Sequence, residues 1–576
     1  MTYGIDFGTS NSVVARYDGV NTEVLPVGSE SVPAQWYQPE FEALFPSVLS
    51  VRDLQRTLCF GWTAKTTQGE PVDAVKRLLG TRAATGTDPD DSGTPHLGEE
   101  NVWIADQPFR STAVAASLFA QMKAAGERNL LDLSEAVVTV PAHATGGARY
   151  RTRAAARLAG IKVKALLNEP TAAAISYVND VDIPGNLLVF DWGGGTIDVT
   201  ILEYDGKYFE EQTSRGIAAL GGLEFDETLA RIVLTKLGQM PERLTRQERQ
   251  RWRRNVELTK IALSRRDVDQ IPFDIPELGT TVSIARDEYL TAATPLIQRA
   301  MEPLQQALDD LGYGPDDIDS VLMIGGTSQI PEARDAVGNI LGSDRIVDPE
   351  LCHPMTAVAR GAAIYSAALN DPGLHKQFTL VTSHALGTAF AAGPRKGFRS
   401  IIKRNSTLVA HGEERFTPAR HGASSLNVEI VEGEEGYPAD SDRAFPLSRL
   451  TVKLPQPERV PEDNAILVYF RYDISGILQV RVTHQRTGQV LMEKEIDSFG
   501  EDGTPLQQGL DRELDRLLHH VTAPFSRSSQ AEPDLHSANI VAIESLRTKA
   551  TEPSPQATAG EIDEALTVNG IPQTRL

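Results

Sequence analysis

The stretch GIDFGTSNSVVARYDG, Gly4–Gly19, decides how this chain is interpreted. Apolar residues that predict a strand lead to Asp6, give way to the small and hydroxyl residues of 8–12, and resume at Val13. A structural hairpin turn explains this pattern, and so does a loop that wraps a phosphate group. On its own the stretch leaves both interpretations open.

A second copy of the pattern, LLVFDWGGGTIDVTILEYDG at Leu187–Gly206, favours the phosphate loop. A predicted strand again leads to an acid, Asp191, which is followed by the glycines of 193–195 and by Thr196. Glycines let backbone N–H groups approach an anion, whereas a carboxylate repels it. We therefore expect Asp6 and Asp191 to hold a Mg²⁺ ion through its water molecules. The chain contains neither GxxxxGK[ST] nor a strand–GxGxxG–helix pattern, which argues against P-loop and dinucleotide-binding proteins.

The composition restricts the partners. A chain of 576 residues exceeds what one hydrophobic core supports, so we expect at least two domains. The net charge of −22 argues against binding to nucleic acid or to an anionic membrane. The cysteines, Cys59 and Cys352, are far apart, and no apolar stretch has membrane-spanning length. We therefore expect a cytoplasmic protein.

The pattern of apolar residues changes along the chain. Residues 1–370 mix buried strand patterns with helical patterns, which predicts an α/β domain. After a linker at 371–383, residues 384–498 alternate apolar and polar side chains, which predicts an antiparallel β domain. One short amphipathic helix is expected within 499–522, and the tail at 523–576 is too poor in large apolar residues to order itself.

The two hairpins resemble the phosphate loops of the actin-like ATPase superfamily. Further segments narrow the resemblance to the seventy-kilodalton heat-shock (DnaK-like) chaperone family: AVKRLLG at 74–80, VVTVPAHATGGAR at 137–149, NEPTAAAISY at 168–177, ALGGLEFD at 219–226, VLMIGGTSQIP at 321–331 and AVARGAAIYSA at 357–367. The resemblance implies an actin-like (ribonuclease H-like) two-lobed α/β ATPase domain, followed by an antiparallel β-sandwich that binds peptide and by a reduced lid.

The resemblance also implies an ATPase site. Its catalytic residues would be Lys76, Glu169, Thr196 and Asp198, with Asp6 and Asp191 anchoring Mg²⁺ through water. By charge alone, an exposed helix lysine is the more common explanation of Lys76, and Glu169 is also typical of an acid in a first helical turn. ATP or ADP is the implied nucleotide, with Mg²⁺ and K⁺ as the accompanying ions. The implied contacts to the nucleotide are Gly8, Thr9, Ser10, Asn11, Gly193, Gly194, Gly195, Gly221, Gly222, Glu257, Lys260, Ser264, Gly325, Gly326 and Thr327.

The chain departs from the family at the adenine side. Gln329 stands where the family usually has an arginine that stacks on the base, and Met355 stands where it has an acid. These two positions predict altered nucleotide affinity or base selectivity.

The remaining implied roles are peptide binding and the relay of the nucleotide state to the other domain. Pro141 and Arg149 match a proline switch and its arginine partner, although a proline at a strand end also has a plain steric explanation. The implied peptide groove consists of Thr388, Ala391, Phe416, Ala419, Leu426 and Val428. Apolar residues that alternate along a strand are also typical of core, so Leu426 and Val428 keep that alternative.

We expect an ATP-dependent chaperone for extended apolar peptide segments, with a J-domain co-chaperone and a nucleotide exchange factor as optional partners. One alternative is a nucleotide-gated interaction protein with a dedicated partner. Another is a small-molecule kinase, for which the β domain would have no use.

Overall fold

The structure is a computed structural model. It describes residues 1–520 apart from 28–31, 37–40, 53–56, 67–70, 81–100, 106, 129–130, 143, 145, 207, 239–245, 371–376, 380–381, 383, 393–394, 405, 442–443, 456–459, 475–477 and 497–505. The described residues belong to one compact unit. The expected tail at 523–576 lies outside them.

The first sheet contains the opening hairpin. Its strands run in the order β11-β10-β1-β2-β3, and the short strand β4 also pairs with β2. Strand β1 is antiparallel to β2 and parallel to β10, and its central residues are buried, which fits their apolar sequence. The bounds are β1 (Thr2–Asp6), β2 (Asn11–Tyr17), β3 (Thr22–Leu25), β4 (Phe45–Pro46), β10 (Glu135–Val140) and β11 (Lys162–Asn168).

The second sheet repeats this arrangement around the second hairpin. Its order is β17-β12-β13-β14-β18, with β12 antiparallel to β13 and parallel to β17. The bounds are β12 (Gly185–Trp192), β13 (Ile197–Tyr204), β14 (Tyr208–Ile217), β17 (Ser320–Ile324) and β18 (Gln377–Thr379). Strand β18 falls within the expected linker and pairs in parallel with the start of β14.

Helices cover and join these sheets. Their bounds are α1 (Gly61–Thr66), α2 (Val75–Leu78), α3 (Ser111–Arg128), α4 (Gly146–Leu158), α5 (Glu169–Val181), α6 (Gly222–Leu237), α7 (Arg246–Leu263), α8 (Arg286–Leu311), α9 (Pro331–Leu341), α10 (Pro349–Cys352), α11 (Ala357–Ala368) and α12 (Leu506–His520). Helices α5 and α11 share one core cluster with residues of both sheets. Their contact is close, because a Cβ added at Gly361 would overlap the carbonyl oxygen of Ala172.

Three small antiparallel elements complete this part of the chain. They comprise β5 (Leu49–Arg52) with β6 (Thr57–Phe60) and β7 (Pro71–Val72), then β8 (Asn101–Ile104) with β9 (Gln107–Arg110), and β15 (Gln270–Ile275) with β16 (Thr280–Ala285). The expected α/β architecture is therefore confirmed. Among the described helices, none is long and apolar enough to cross a membrane.

Residues 385–496 form two four-stranded antiparallel sheets that share one core, with orders β20-β19-β22-β23 and β21-β24-β25-β26. The expected alternation holds, since Leu478, Val480 and Val482 are buried while the residues between them are more exposed. The bounds are β19 (Ala385–Ala392), β20 (Arg395–Ile402), β21 (Ala410–Phe416), β22 (Ser425–Gly433), β23 (Ala444–Lys453), β24 (Ile466–Tyr472), β25 (Leu478–His484) and β26 (Val490–Ile496).

Two helices contribute apolar side chains to core clusters that distant segments of the chain form. Tyr150 of α4 is buried in the core cluster of the two C-terminal sheets. Leu514 and Leu517 of α12 are buried in the core cluster beneath the first sheet. The side chain of Arg110 in β9 forms an ion pair of 2.8 Å with Glu513 of α12. Helix α12 therefore packs on the N-terminal part of the chain.

Replacing Leu517 with alanine should lower the free energy of unfolding by about 2–5 kcal/mol, because the residue is fully buried and leaves a cavity. Chemical denaturation monitored by circular dichroism measures this change. The matched control is Asp511→Ala on the exposed side of the same helix. Equal stability of the two variants would show that α12 contributes little to this core.

Candidate functional site

The two glycine-rich bends meet. The first spans 7–10 between β1 and β2, and the second spans 193–196 between β12 and β13. A Cβ added at Gly194 would overlap the Oγ of Ser10, and one added at Gly195 would lie 2.6 Å from the Oγ1 of Thr9. A side chain at 194 or 195 would displace Ser10 or Thr9, which explains why the second bend has glycine at both positions.

Two further glycine segments close around the second bend. The backbone N–H of Gly222 donates to the carbonyl of Gly193 (3.2 Å), and a Cβ at Gly221 would lie 2.6 Å from backbone atoms of the same bend. The hydroxyl of Thr327 also donates to the carbonyl of Gly193 (2.8 Å). Gly325 has a φ of +80° and lies against Trp192 and Gly193. Segments from four distant parts of the sequence thus surround one place.

The other residues expected to contact nucleotide lie in or beside these bends. A Cβ at Gly8 would overlap the carbonyl of Asn11, where β2 begins. The carbonyl of Thr196 accepts a hydrogen bond from the N–H of Gly193 (3.1 Å), which closes the second bend. Gly326 lies near the side chain of Met355.

A cluster of charged side chains lies next to the bends; we call Asp6, Lys76, Glu169, Asp191 and Asp198 the carboxylate cluster. Lys76 forms an ion pair with Glu169, and both side chains are 9% exposed. Asp191 and Asp198 face each other across the β12–β13 pair and are buried. Asp6, which is half-buried, ends β1 and accepts a hydrogen bond of 3.4 Å from Thr139.

Burial dominates the electrostatics of this cluster. It raises the pKa of Glu169 to about 7, although the Lys76 ammonium opposes the shift. It raises the pKa of Asp191 well above its ordinary value, with Glu169 and Asp198 adding to the shift. Burial likewise raises the pKa of Asp6. Burial lowers the pKa of Lys76, but the attraction of Glu169 and Asp6 exceeds this effect and the net shift is upward.

This electrostatic balance fits a hydrated divalent cation. The cluster carries four carboxylates and one ammonium group, and a cation would relieve their mutual repulsion. Within the described ranges, no group of three His, Cys, Asp or Glu side chains is spaced to ligate a metal directly. Mg²⁺ usually keeps several of its waters, so carboxylates that reach it through water suit this geometry.

Arg77 is a residue of the site that the sequence interpretation missed. Its guanidinium donates to both carboxylate oxygens of Glu224 (2.9 Å each) and to the carbonyl of Gly195. Glu224 also accepts from the backbone N–H of Gly221 (2.7 Å). Arg77 therefore ties α2 to the second bend and to α6. Its position directly after Lys76 was the available signal.

The residues expected at the adenosine side lie on or just after α7. Lys260 forms an ion pair with Asp226 (2.9 Å) and donates to the carbonyl of Gly222 (3.2 Å), so it belongs to the same site. Glu257 forms an ion pair with Lys65 of α1 (2.7 Å), a partner that sequence alone did not suggest. Ser264 donates to the carbonyl of Lys260 (2.9 Å). Gln329, at the departure from the family, donates to the Oγ of Ser328 (2.9 Å).

The two expected switch residues lie at the end of β10 and in α4. Pro141 directly follows β10. Arg149 of α4 donates to the side-chain oxygen of Asn168, the residue before Glu169. Arg149 thus connects α4, which carries Tyr150, to the start of α5.

The six expected peptide-groove residues do not gather on one surface. Thr388 and Val428 are buried, and Thr388 lies opposite Ile430 in the core. Phe416 and Leu426 are half-buried against this core. Ala391 and Ala419 are exposed. Strand alternation also directs Ala391 to the face opposite that of Thr388.

A cavity of about 320 Å³ lies beside the β19–β20 hairpin. Its lining combines two aromatic rings with polar groups, and consists of Phe390, Phe398, Arg399, Ser400, Glu435 and Gly436. Phe390 is 38% exposed, which is high for a phenylalanine. The sequence interpretation did not identify this feature.

The chain is similar in sequence to a known protein family and to a described relative. A family model described as Hsp70 protein matches residues 2–512. A relative described as "Chaperone protein HscA homolog", from Delftia acidovorans (strain DSM 14801 / SPH-1), is 30% identical over 506 residues, which cover 85% of this chain and 77% of the relative.

The raised pKa of Glu169 predicts a pH dependence of stability in the nucleotide-free protein. The folded protein holds this proton up to about pH 7, whereas the unfolded chain releases it near the ordinary value of 4.5. The stabilisation that protonation provides is therefore fully present below 4.5 and is lost as the pH rises through about 7.

Denaturant unfolding at several pH values between about 5 and 8 tests this prediction. The free energy of unfolding should fall with rising pH in this interval, and less steeply in Glu169→Gln. Asp226, whose pKa burial raises to about 6, acts in the same direction in both proteins. Parallel profiles for the two proteins would contradict the assignment.

Proposed function

Because the chain belongs to the Hsp70 protein family, we propose that it is an ATP-dependent chaperone that hydrolyses ATP in its N-terminal part and binds apolar peptide segments in its β domain. The observation that carries the proposal is the meeting of the two glycine bends beside the carboxylate cluster. In this proposal the boundaries are 1–370 for the ATPase domain, 384–498 for the peptide-binding domain and 371–383 for the linker.

The proposed roles follow from charge and position. Backbone N–H groups of the bends, with the hydroxyls of Thr9 and Ser10, bind the phosphates. Asp6 and Asp191 hold hydrated Mg²⁺, which supplies positive charge at the phosphates. Lys76 offsets the negative charge that develops on the transferred phosphoryl group.

Glu169 accepts a proton from the attacking water once it is ionised, and a pKa near 7 suits this task at neutral pH. Asp198 and Thr196 orient that water. Arg77 and Glu224 keep the second bend in place during the reaction.

The proposed peptide site is less completely formed in this structure than the proposed ATPase site. Phe416 and Leu426 offer apolar surface, and the aromatic cavity at Phe390 and Phe398 is a second candidate surface in the same part of the chain. The Delftia relative is described as a chaperone, which supports a peptide-binding role. The burial of Thr388 and Val428 in the core favours the second candidate, a nucleotide-gated protein with one dedicated partner.

We also propose a cytoplasmic location. Both cysteines are free and buried, as expected in a reducing compartment. A J-domain co-chaperone and an exchange factor remain optional partners in this proposal.

The variant Lys76→Ala should lose at least about 100-fold in ATP turnover, because the growing charge on the phosphoryl group loses its ammonium partner. Binding of ADP should change little, since the bends and the adenosine side are intact. Phosphate release and nucleotide titration measure the two quantities. Lys162→Ala, a change at a 77% exposed lysine, is the control. Normal turnover in Lys76→Ala would remove this residue from the mechanism.

Release of a fluorescent aliphatic peptide from the full chain should accelerate when ATP replaces ADP. Leu426→Asp should weaken peptide binding about tenfold or more, because it places a charge in an apolar contact. Asn427→Asp, at the adjacent exposed position, is the matched control. Peptide binding without any effect of ATP would favour the dedicated-partner candidate. Equal peptide affinities of the two variants would show that the groove does not include Leu426.

A further inference from the structure

Glu211 is a buried carboxylate to which no role has been given so far. It lies in β14 and is 3% exposed. Acidic side chains are almost never buried to this degree unless they are paired. The strand has a β-bulge here, since Ile201 pairs with Thr213 but Leu202 pairs with Glu211. A bulge redirects side chains and occurs often next to active sites.

The carboxylate of Glu211 holds the start of α5. It accepts hydrogen bonds from the side-chain amide of Asn168 (3.2 Å) and from the hydroxyl of Thr171 (2.9 Å). Glu169, the ion-pair partner of Lys76, lies between these two residues in sequence. The first turn of α5, which aims Glu169 at the cluster, is thus fixed from both sides by one carboxylate.

The same stretch of β14 contacts the β domain. Arg404, which follows β20, donates to the carbonyl of Ser214. Strand β18 ends opposite Glu210, so the linker reaches the residue next to Glu211.

We propose that Glu211 is a positioning residue, which orients Glu169 through its hydrogen bonds to Asn168 and Thr171. The proposal rests on the ATPase function proposed above.

Substitutions separate the hydrogen-bonding role from the charge. In Glu211→Ala the turnover number should fall about tenfold, as expected for the loss of hydrogen bonds to a charged group. The KM for ATP should change less than about twofold, because Glu211 does not touch nucleotide. Glu211→Gln keeps an acceptor oxygen and should restore most of the turnover. Glu210→Gln, at the exposed neighbouring position, is the control.

Unchanged turnover in Glu211→Ala would overturn the positioning role.

Hydrogen exchange gives a measurement that does not depend on activity. Amides of 168–172 should exchange about tenfold faster in Glu211→Ala than in the wild type or in Glu210→Gln. If the wild type hydrolyses no ATP, the proposed function fails, and this exchange still decides whether Glu211 holds α5. Unchanged exchange at 168–172 would overturn the inference by itself.

Discussion

The excess of negative charge in the carboxylate cluster constrains the rest of the structure. Four acids and one lysine are held in a place with little water, and burial is the main cause of the raised pKa of Glu169 and of Asp191. Such an arrangement is unfavourable for folding, and proteins retain it mainly where function requires it. The chain assembles it from the ends of two hairpins, one in each sheet, and from the first turn of α5. The duplicated topology is the means by which acids from distant parts of the sequence reach one another.

The same geometry connects the site to the β domain. Arg149 of α4 donates to the side chain of the residue before Glu169. Tyr150, the next residue of α4, is buried in the β-domain core, while α12 returns to the core under the first sheet. Helix α4 therefore contacts both the start of α5 and the core of the β domain.

The mixture of strand and helical patterns predicted the α/β architecture. The repeated acid–glycine–hydroxyl pattern predicted that Asp6 and Asp191 belong to one site, because such loops depend on local backbone freedom that glycine reveals. Residues whose role arises only in three dimensions could not be predicted in this way. Arg77, Lys65 and Glu211 look like ordinary charged residues in the sequence, and their partners lie far along the chain. The groove prediction relied on the family resemblance, and strand alternation does not distinguish a core residue such as Val428 from one that lines a pocket.

The most direct test of this account is calorimetric titration of the nucleotide-free protein with ATP, once with Mg²⁺ and once with a chelator. The account predicts one nucleotide bound per chain, with affinity that falls at least about tenfold when Mg²⁺ is removed, because the acids then face the phosphates without a cation between them. Equal affinity under both conditions, or the absence of binding, would contradict the claim that the two glycine bends and the carboxylate cluster form one magnesium-dependent nucleotide site.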